Sequence, residues 1–123
     1  MKDVILWQRV EGALVFAGSI ALFIFSGSDL PWGAALALFF APDLSFLAYP
    51  LGPRLGARVY NLVHVYALGV VLMALGTILA LPVLTGLGTL WLAHVGFDRM
   101  LGYGLKSETA VHDTHLGRIG KRA

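Results

Sequence analysis

The stretch LAHVGFDRMLGYG, residues 92–104, ends the last long apolar segment of the chain, yet it carries His94, Asp98 and Arg99. Hydrophobic residues make up 58% of the 123 residues and charged residues 13%, whereas roughly a quarter of the residues in ordinary soluble proteins are charged. The charges are clustered and leave long uncharged runs. This pattern is typical of a membrane protein. In such a protein, ionisable residues within an apolar segment are unexpected and need an explanation.

Counting back from this stretch, four segments are long and apolar enough to cross a bilayer, which takes about 20 residues. Sequences rich in Pro, Gly and Ser separate them, as expected of turns. The prediction is an all-α, polytopic membrane protein in which residues 1–104 form a four-transmembrane-helix bundle and residues 105–123 form a polar cytoplasmic tail. The predicted helices span residues 9–26, 31–50, 57–81 and 82–104.

The basic residues predict the orientation of this bundle. With four crossings, the N-terminus, the central loop and the tail lie on one side, and every Lys and Arg except Arg99 falls there. The positive-inside rule then places both termini in the cytoplasm, which indicates a multi-pass membrane protein with the lipid bilayer as its partner. A homodimer is left open. The net charge of +2 is too small to indicate nucleic-acid binding, and the lack of cysteine excludes thiolate sites.

Small residues recur along the predicted helices and permit close contact between them. The glycines among them are Gly12, Gly18, Gly33, Gly69 and Gly76.

Several ionisable residues lie at similar depth inside the predicted helices. At 1.5 Å per residue, Asp43, His64, His94 and Asp98 lie roughly 9–15 Å below the cytoplasmic helix ends, and Glu11 is shallower. Such residues usually face a partner or a cavity. His94 and Asp98 are four apart and share a helix face. Two imidazoles with two carboxylates favour a divalent metal site for zinc, manganese or iron.

Each of these residues also has a purely structural interpretation. His64 could simply hydrogen-bond a carbonyl group, Asp98 could pair with Arg99 or Arg58, and Asp43 could cap a helix broken at Pro42. Arg99 is expected to extend to the cytoplasmic face, as long cationic side chains do. The prediction of a metal site rests on the joint placement of the residues rather than on any one of them.

The motifs around these residues resemble a known family. The stretches APDLSFLAYPLGPRLGARVYNLVHVYALG and WLAHVGFDRMLGYGLK, with DTHLGRIG in the tail, are similar to the bacterial domain-of-unknown-function family 4260, a family of small four-helix membrane proteins. More distantly, the Pro-Asp element and the H-x-x-x-D element resemble the YdjM-like membrane-bound metal-dependent hydrolase family. That resemblance implies metal ligation by Asp43, His64, His94 and Asp98, although the YNLVH stretch carries one histidine fewer than the hydrolase pattern.

The first functional hypothesis is a metal-dependent hydrolase acting on an amphiphilic or phosphoester substrate from the cytoplasmic leaflet. Glu11 and Asp43 are its candidate catalytic residues. Further candidates for the second shell or for a contribution from the tail are Asn61, Arg99, His112, Asp113 and His115. Two alternatives remain open: a proton-coupled transporter that resembles the small multidrug-resistance exporters in outline, and a haem-binding protein with His64 and His94 as axial ligands. Whether the chain is an enzyme is left open.

Overall fold

The computed structural model describes residues 2–108, 113–114 and 116–118, and most of these are helical. A 3₁₀ helix, Ala41–Leu51, follows the second α-helix, and two short strands, β1 (Asp113–Thr114) and β2 (Gly117–Arg118), pair antiparallel in the tail. The predicted all-α class is therefore correct for the body of the protein, to which the tail adds one strand pair. The α-helices are α1 (Lys2–Ile24), α2 (Trp32–Phe39), α3 (Pro53–Val63), α4 (Tyr66–Ile78) and α5 (Pro82–Leu101).

The helix boundaries differ from the prediction in three places. The first helix begins at Lys2 rather than at residue 9. The segment 31–50 is not one α-helix, because Pro42 has no N–H for an α-helical hydrogen bond, and the chain tightens into the 3₁₀ helix. The segment 57–81 begins earlier, at Pro53, and is broken at His64–Val65, where Val65 is extended with φ −91° and ψ 150°.

The last α-helix, α5, lies at the centre of the molecule and packs against α1, α2 and α4, while α3 packs against the 3₁₀ helix. Glycine makes the closest approach possible: a Cβ on Gly96 of α5 would lie 2.7 Å from the carbonyl oxygen of Gly12 in α1. Close contact is thereby confirmed for Gly12, and also for Gly69 and Gly76 in α4, whereas Gly18 and Gly33 face open space.

Two helical stretches, Lys2–Ile24 and Trp32–Leu51, are long and apolar enough to cross a membrane. A third candidate is the pair Pro53–Val63 and Tyr66–Ile78, which are bent by 44° relative to each other and would form one broken span. Within the described part of the chain, α5 is not among these candidates, and it carries His94, Asp98 and Arg99. The protein thus has two or three apolar spans, and a fourth crossing stays a prediction.

Candidate metal centre

Four ionisable side chains from three parts of the chain meet beside α5. Asp43 comes from the 3₁₀ helix, His64 from the break between α3 and α4, and His94 and Asp98 from α5. One ligand atom of each lies within 4.8 Å of the ligand atoms of the other three. We call Asp43, His64, His94 and Asp98 the four-residue group.

Five of the six distances among these atoms lie close to those between the ligands of a tetrahedral ion. His94 Nε2 lies 3.1 Å from Asp43 Oδ1, 3.2 Å from Asp98 Oδ2 and 3.3 Å from His64 Nε2. His64 Nε2 lies 3.5 Å from each of the same two carboxylate oxygens. Four ligands around an ion at the usual bond lengths are about 3.3–3.6 Å apart. The group could therefore hold a divalent metal ion.

The ring of His64 is held with its Nε2 atom towards the other three residues. His64 Nδ1 lies 2.8 Å from the carbonyl oxygen of Tyr60, one turn earlier in α3. A carbonyl oxygen only accepts hydrogen bonds, so Nδ1 carries a proton and Nε2 is the ring nitrogen that faces the other three residues. Metal-ligating histidines are commonly oriented in this way. The structural interpretation of His64 expected a hydrogen bond to a carbonyl group, and this bond is present. It uses Nδ1 and leaves Nε2 facing the other three residues, so it is compatible with metal binding.

His94 lacks this support. Its Nδ1 atom is buried and has no hydrogen-bond partner within the described residues. The ring is instead held by aromatic contacts, with its centroid 5.4 Å from that of Phe39 and 6.3 Å from that of Phe40. On its Nδ1 side, therefore, His94 is held by packing and not by a hydrogen bond among the described residues.

The break between α3 and α4 frees backbone carbonyl groups that side chains from α5 then bind. Trp91 Nε1 donates to the carbonyl of Val63 at 2.8 Å, and Arg99 Nη2 donates to that of His64 at 2.7 Å. Arg99 Nη1 also donates to the carbonyl of Tyr103 at 3.1 Å. Arg99 is only 4% exposed, so the expectation that it extends to the cytoplasmic face was wrong. It binds the backbone next to His64 and so helps to place this ligand.

The predicted tail folds back over the centre, as far as the structure describes it. Asn61 pairs with the backbone of Lys106 through two hydrogen bonds, from its Nδ2 at 2.9 Å and to its Oδ1 at 2.7 Å. The Lys106 ammonium lies 4.8 Å from the centre of the Tyr60 ring, which stacks on His64 at 3.7 Å. Asn61 therefore anchors the tail, and its backbone carbonyl oxygen also accepts a hydrogen bond from the backbone N–H of His64 at 3.2 Å.

Two tail residues have shifted pKa values. Burial lowers the pKa of Lys106, because desolvation disfavours the ammonium form, and the charge of Asp98 opposes this shift. The hydrogen bond from Arg58 lowers the pKa of Glu108; Arg58 Nε donates to Glu108 Oε1 at 2.8 Å. Arg58 therefore pairs with Glu108 of the tail. It does not form the ion pair with Asp98 that the structural interpretation of Asp98 had offered.

The four-residue group is closed on one side and open on the other. The side chains of His64 and His94 are 0% and 1% exposed, that of Asp98 is 13% exposed, and that of Asp43 is 42% exposed. A ligand could therefore reach the centre beside Asp43. Asp43 is the most exposed of the four side chains and therefore the first that such a ligand would meet.

The remaining candidates lie elsewhere. Glu11 is on the exposed face of α1, in a shallow pocket with Trp7 and Leu14, and is not one of the four grouped residues. Asp113 lies in β1, while His112 and His115 lie outside the described residues. Neither Tyr60 nor Trp91 was predicted to be part of the site. Tyr60 could have been found from its position one turn before His64, but no signal in the sequence marks Trp91.

No curated protein and no solved structure matches this chain. A family model matches residues 5–119, nearly the whole length. The chain belongs to the family described as a domain of unknown function, DUF4260.

Proposed function

We propose that this protein binds one divalent metal ion of the zinc type through Asp43, His64, His94 and Asp98, inside the membrane near its cytoplasmic face. The observation that carries the proposal is the convergence of four ligand atoms within 4.8 Å of one another, with Nε2 of His64 facing two carboxylates. A positive charge is needed between these groups, and a bound cation supplies it to all four at once. An ion would also offset the cost of burying the carboxylates.

The chemistry that this centre supports best is hydrolysis of an ester or phosphoester in an amphiphile. An ion held there would polarise the substrate oxygen and lower the pKa of a bound water. In such a reaction the water oxygen would form a bond to the phosphoryl or acyl centre, the bond to the leaving oxygen would break, and that oxygen would take a proton. Because four protein ligands fill a tetrahedral ion, Asp43, the most exposed of them, would give up its place to the water, accept a proton from the water and pass it to the leaving oxygen. Glu11 has no position in this scheme.

Elemental analysis of the detergent-purified protein, prepared without chelator, tests metal binding. We expect about one equivalent of a divalent ion, lost in His94→Ala and in Asp98→Asn. Asp29→Asn is the matched control, because Asp29 is an exposed carboxylate before α2 and its loss should leave the metal content unchanged. Metal-free wild-type protein that also fails to bind added zinc would overturn the proposal.

The two alternatives predict different results in the same preparation. The transporter hypothesis puts its chemistry at Glu11, so the protein would be metal-free and Glu11→Gln would abolish substrate-coupled proton movement. Bis-histidine haem ligation needs the macrocycle between two imidazoles, and a separation of 3.3 Å between the Nε2 atoms leaves no room for it. A colourless protein containing zinc supports the metal-centre proposal against both alternatives.

We further propose four crossings with both termini in the cytoplasm of a bacterial inner membrane. The support is the distribution of Lys and Arg and the two or three apolar spans. Because the chain has no cysteine, single cysteines introduced near residues 2, 29 and 107 can be labelled from either side of the membrane. Labelling of residue 29 from the same side as residue 2 would refute this topology, and the mass of the protein in detergent decides whether it is a dimer.

A further inference from the structure

An apolar groove ends beside the four-residue group. It has a volume of about 240 Å³ and lies between α1, α2 and α5. This is smaller than the roughly 300–1,000 Å³ of pockets that enclose whole small molecules, so it suits part of a ligand rather than all of one. Six of the side chains that line it are large and apolar: Phe16 and Phe23 of α1, Trp32, Leu36 and Phe39 of α2, and Leu90 of α5.

Both walls of the groove continue directly into metal-ligand residues. On α5, Leu90 lies one turn before His94, a distance of roughly 6 Å along the axis. On the other wall, Phe39 precedes Asp43 by four residues, and its ring contacts that of His94 with 5.4 Å between centroids. A molecule in the groove is therefore within one helical turn of the four-residue group.

The groove runs from this group along α1 towards the turn between α1 and α2. At its near end, the ring of Phe16 contacts those of Phe39 and Phe97, with centroids 6.1 and 5.3 Å away. At its far end, Phe23 contacts Trp32. From Phe16 to Phe23 the groove runs roughly 10 Å along α1. Its α1 and α2 walls belong to the two candidate membrane spans, Lys2–Ile24 and Trp32–Leu51, so hydrocarbon is the medium that surrounds its open side.

We infer that the groove binds one hydrocarbon chain of an amphiphile whose polar head lies at the four-residue group. This inference rests on the proposed metal centre and adds the chemical class of its ligand. The wholly apolar lining excludes a polar ligand, because buried polar groups would be left without hydrogen bonds. The single narrow groove fits one chain, and its position places the head on the open, Asp43 side of the centre.

The test uses the full chain, purified in detergent and loaded with zinc, and a lysophosphatidic acid that carries a diazirine at the end of its acyl chain. On illumination, we expect crosslinks at the far end of the groove, near Phe23 and Trp32. Leu36→Trp, which fills the groove from its rim, should lower this crosslinking at least tenfold. Leu22→Trp on the exposed face of α1 is the matched control and should not lower it, and Leu36→Ala, which widens the groove, should retain it.

Crosslinks spread evenly over lipid-facing residues and unchanged by Leu36→Trp would overturn the inference, whatever the metal content. Competition by unlabelled lysophosphatidic acid tests where the head lies. It should be at least tenfold weaker in Asp43→Asn than in the wild type. Equal competition would show that the groove holds the chain of any bilayer lipid, and would refute the head placement. Specific crosslinking in a protein that binds no zinc would leave the groove intact and refute the metal centre instead.

Discussion

Replacing Gly96 by alanine should weaken the contact between α1 and α5 and disturb the metal centre. The added Cβ would lie 2.7 Å from both the carbonyl oxygen of Gly12 and the backbone nitrogen of Phe16, and 3.2 Å from the Cα of Phe16. These are backbone atoms that no rotamer change can move, so α1 must shift. Overpacking of this kind costs about 1–3 kcal/mol, and contact with fixed backbone puts Gly96→Ala near the upper end.

Gly18→Ala is the matched control, because nothing lies within 4 Å of the Cβ that it adds to α1. Alanine is favoured over glycine inside a helix by about 1 kcal/mol, and this gain is common to both variants. The difference between their unfolding free energies therefore isolates the clash, and we expect it to be about 3 kcal/mol.

Reversible unfolding in mixed micelles, followed by circular dichroism, measures this difference. Because Gly96 lies between His94 and Asp98 on α5, bound zinc should also fall in Gly96→Ala and not in Gly18→Ala. Equal stability of the two variants would refute the close crossing of α1 and α5.

Three further predictions concern the contacts around the centre. Arg99→Met should destabilise the protein by about 3 kcal/mol or more, since it removes charge-assisted hydrogen bonds worth about 1.5–3 kcal/mol each; Arg99→Lys should restore only part of this in the same unfolding assay. Asn61→Ala should expose the Lys106 amide, seen as faster hydrogen exchange of residues 105–108, and normal exchange would contradict the anchor. The Arg58–Glu108 pair lowers the pKa of Glu108 on folding, so its stabilisation is present above the ordinary pKa of a glutamate and is lost as pH falls through the lowered value. Exchange in the tail should therefore rise at low pH, whereas in Glu108→Gln it should be fast at every pH.

The convergence of the four-residue group was predictable because it depends on the number of residues between each side chain and its helix end, and on the spacing between side chains. Depth follows from counting residues, and the shared face of His94 and Asp98 follows from their spacing. The placement of Asp43 and His64 beside them survived large errors in the helix boundaries. Those errors changed the local conformation but not the convergence of the four side chains.

The broken helix and the buried Arg99 could not be read from the sequence. Nothing in the stretch around His64 is a strong helix breaker, since the nearest proline is Pro53. The break is stabilised by tertiary contacts from α5, in which Trp91 and Arg99 bind the freed carbonyl groups. A pattern within one segment carries no information about donors supplied by another. The 3₁₀ helix was more accessible, because Pro42 and Pro50 both oppose a continuous α-helix.

The central position of α5 has a consequence for how the protein is made. A helix that carries a histidine, an aspartate and an arginine is disfavoured as an independent segment during insertion at the translocon. The helices that surround α5 all precede it in the chain, so they are synthesised first. With α5 as the proposed fourth crossing, biogenesis of this protein would depend on its earlier segments staying beside the translocon until the last one emerges. Truncation of α1 should consequently leave the C-terminal part of the chain outside the bilayer, although no residue there has changed.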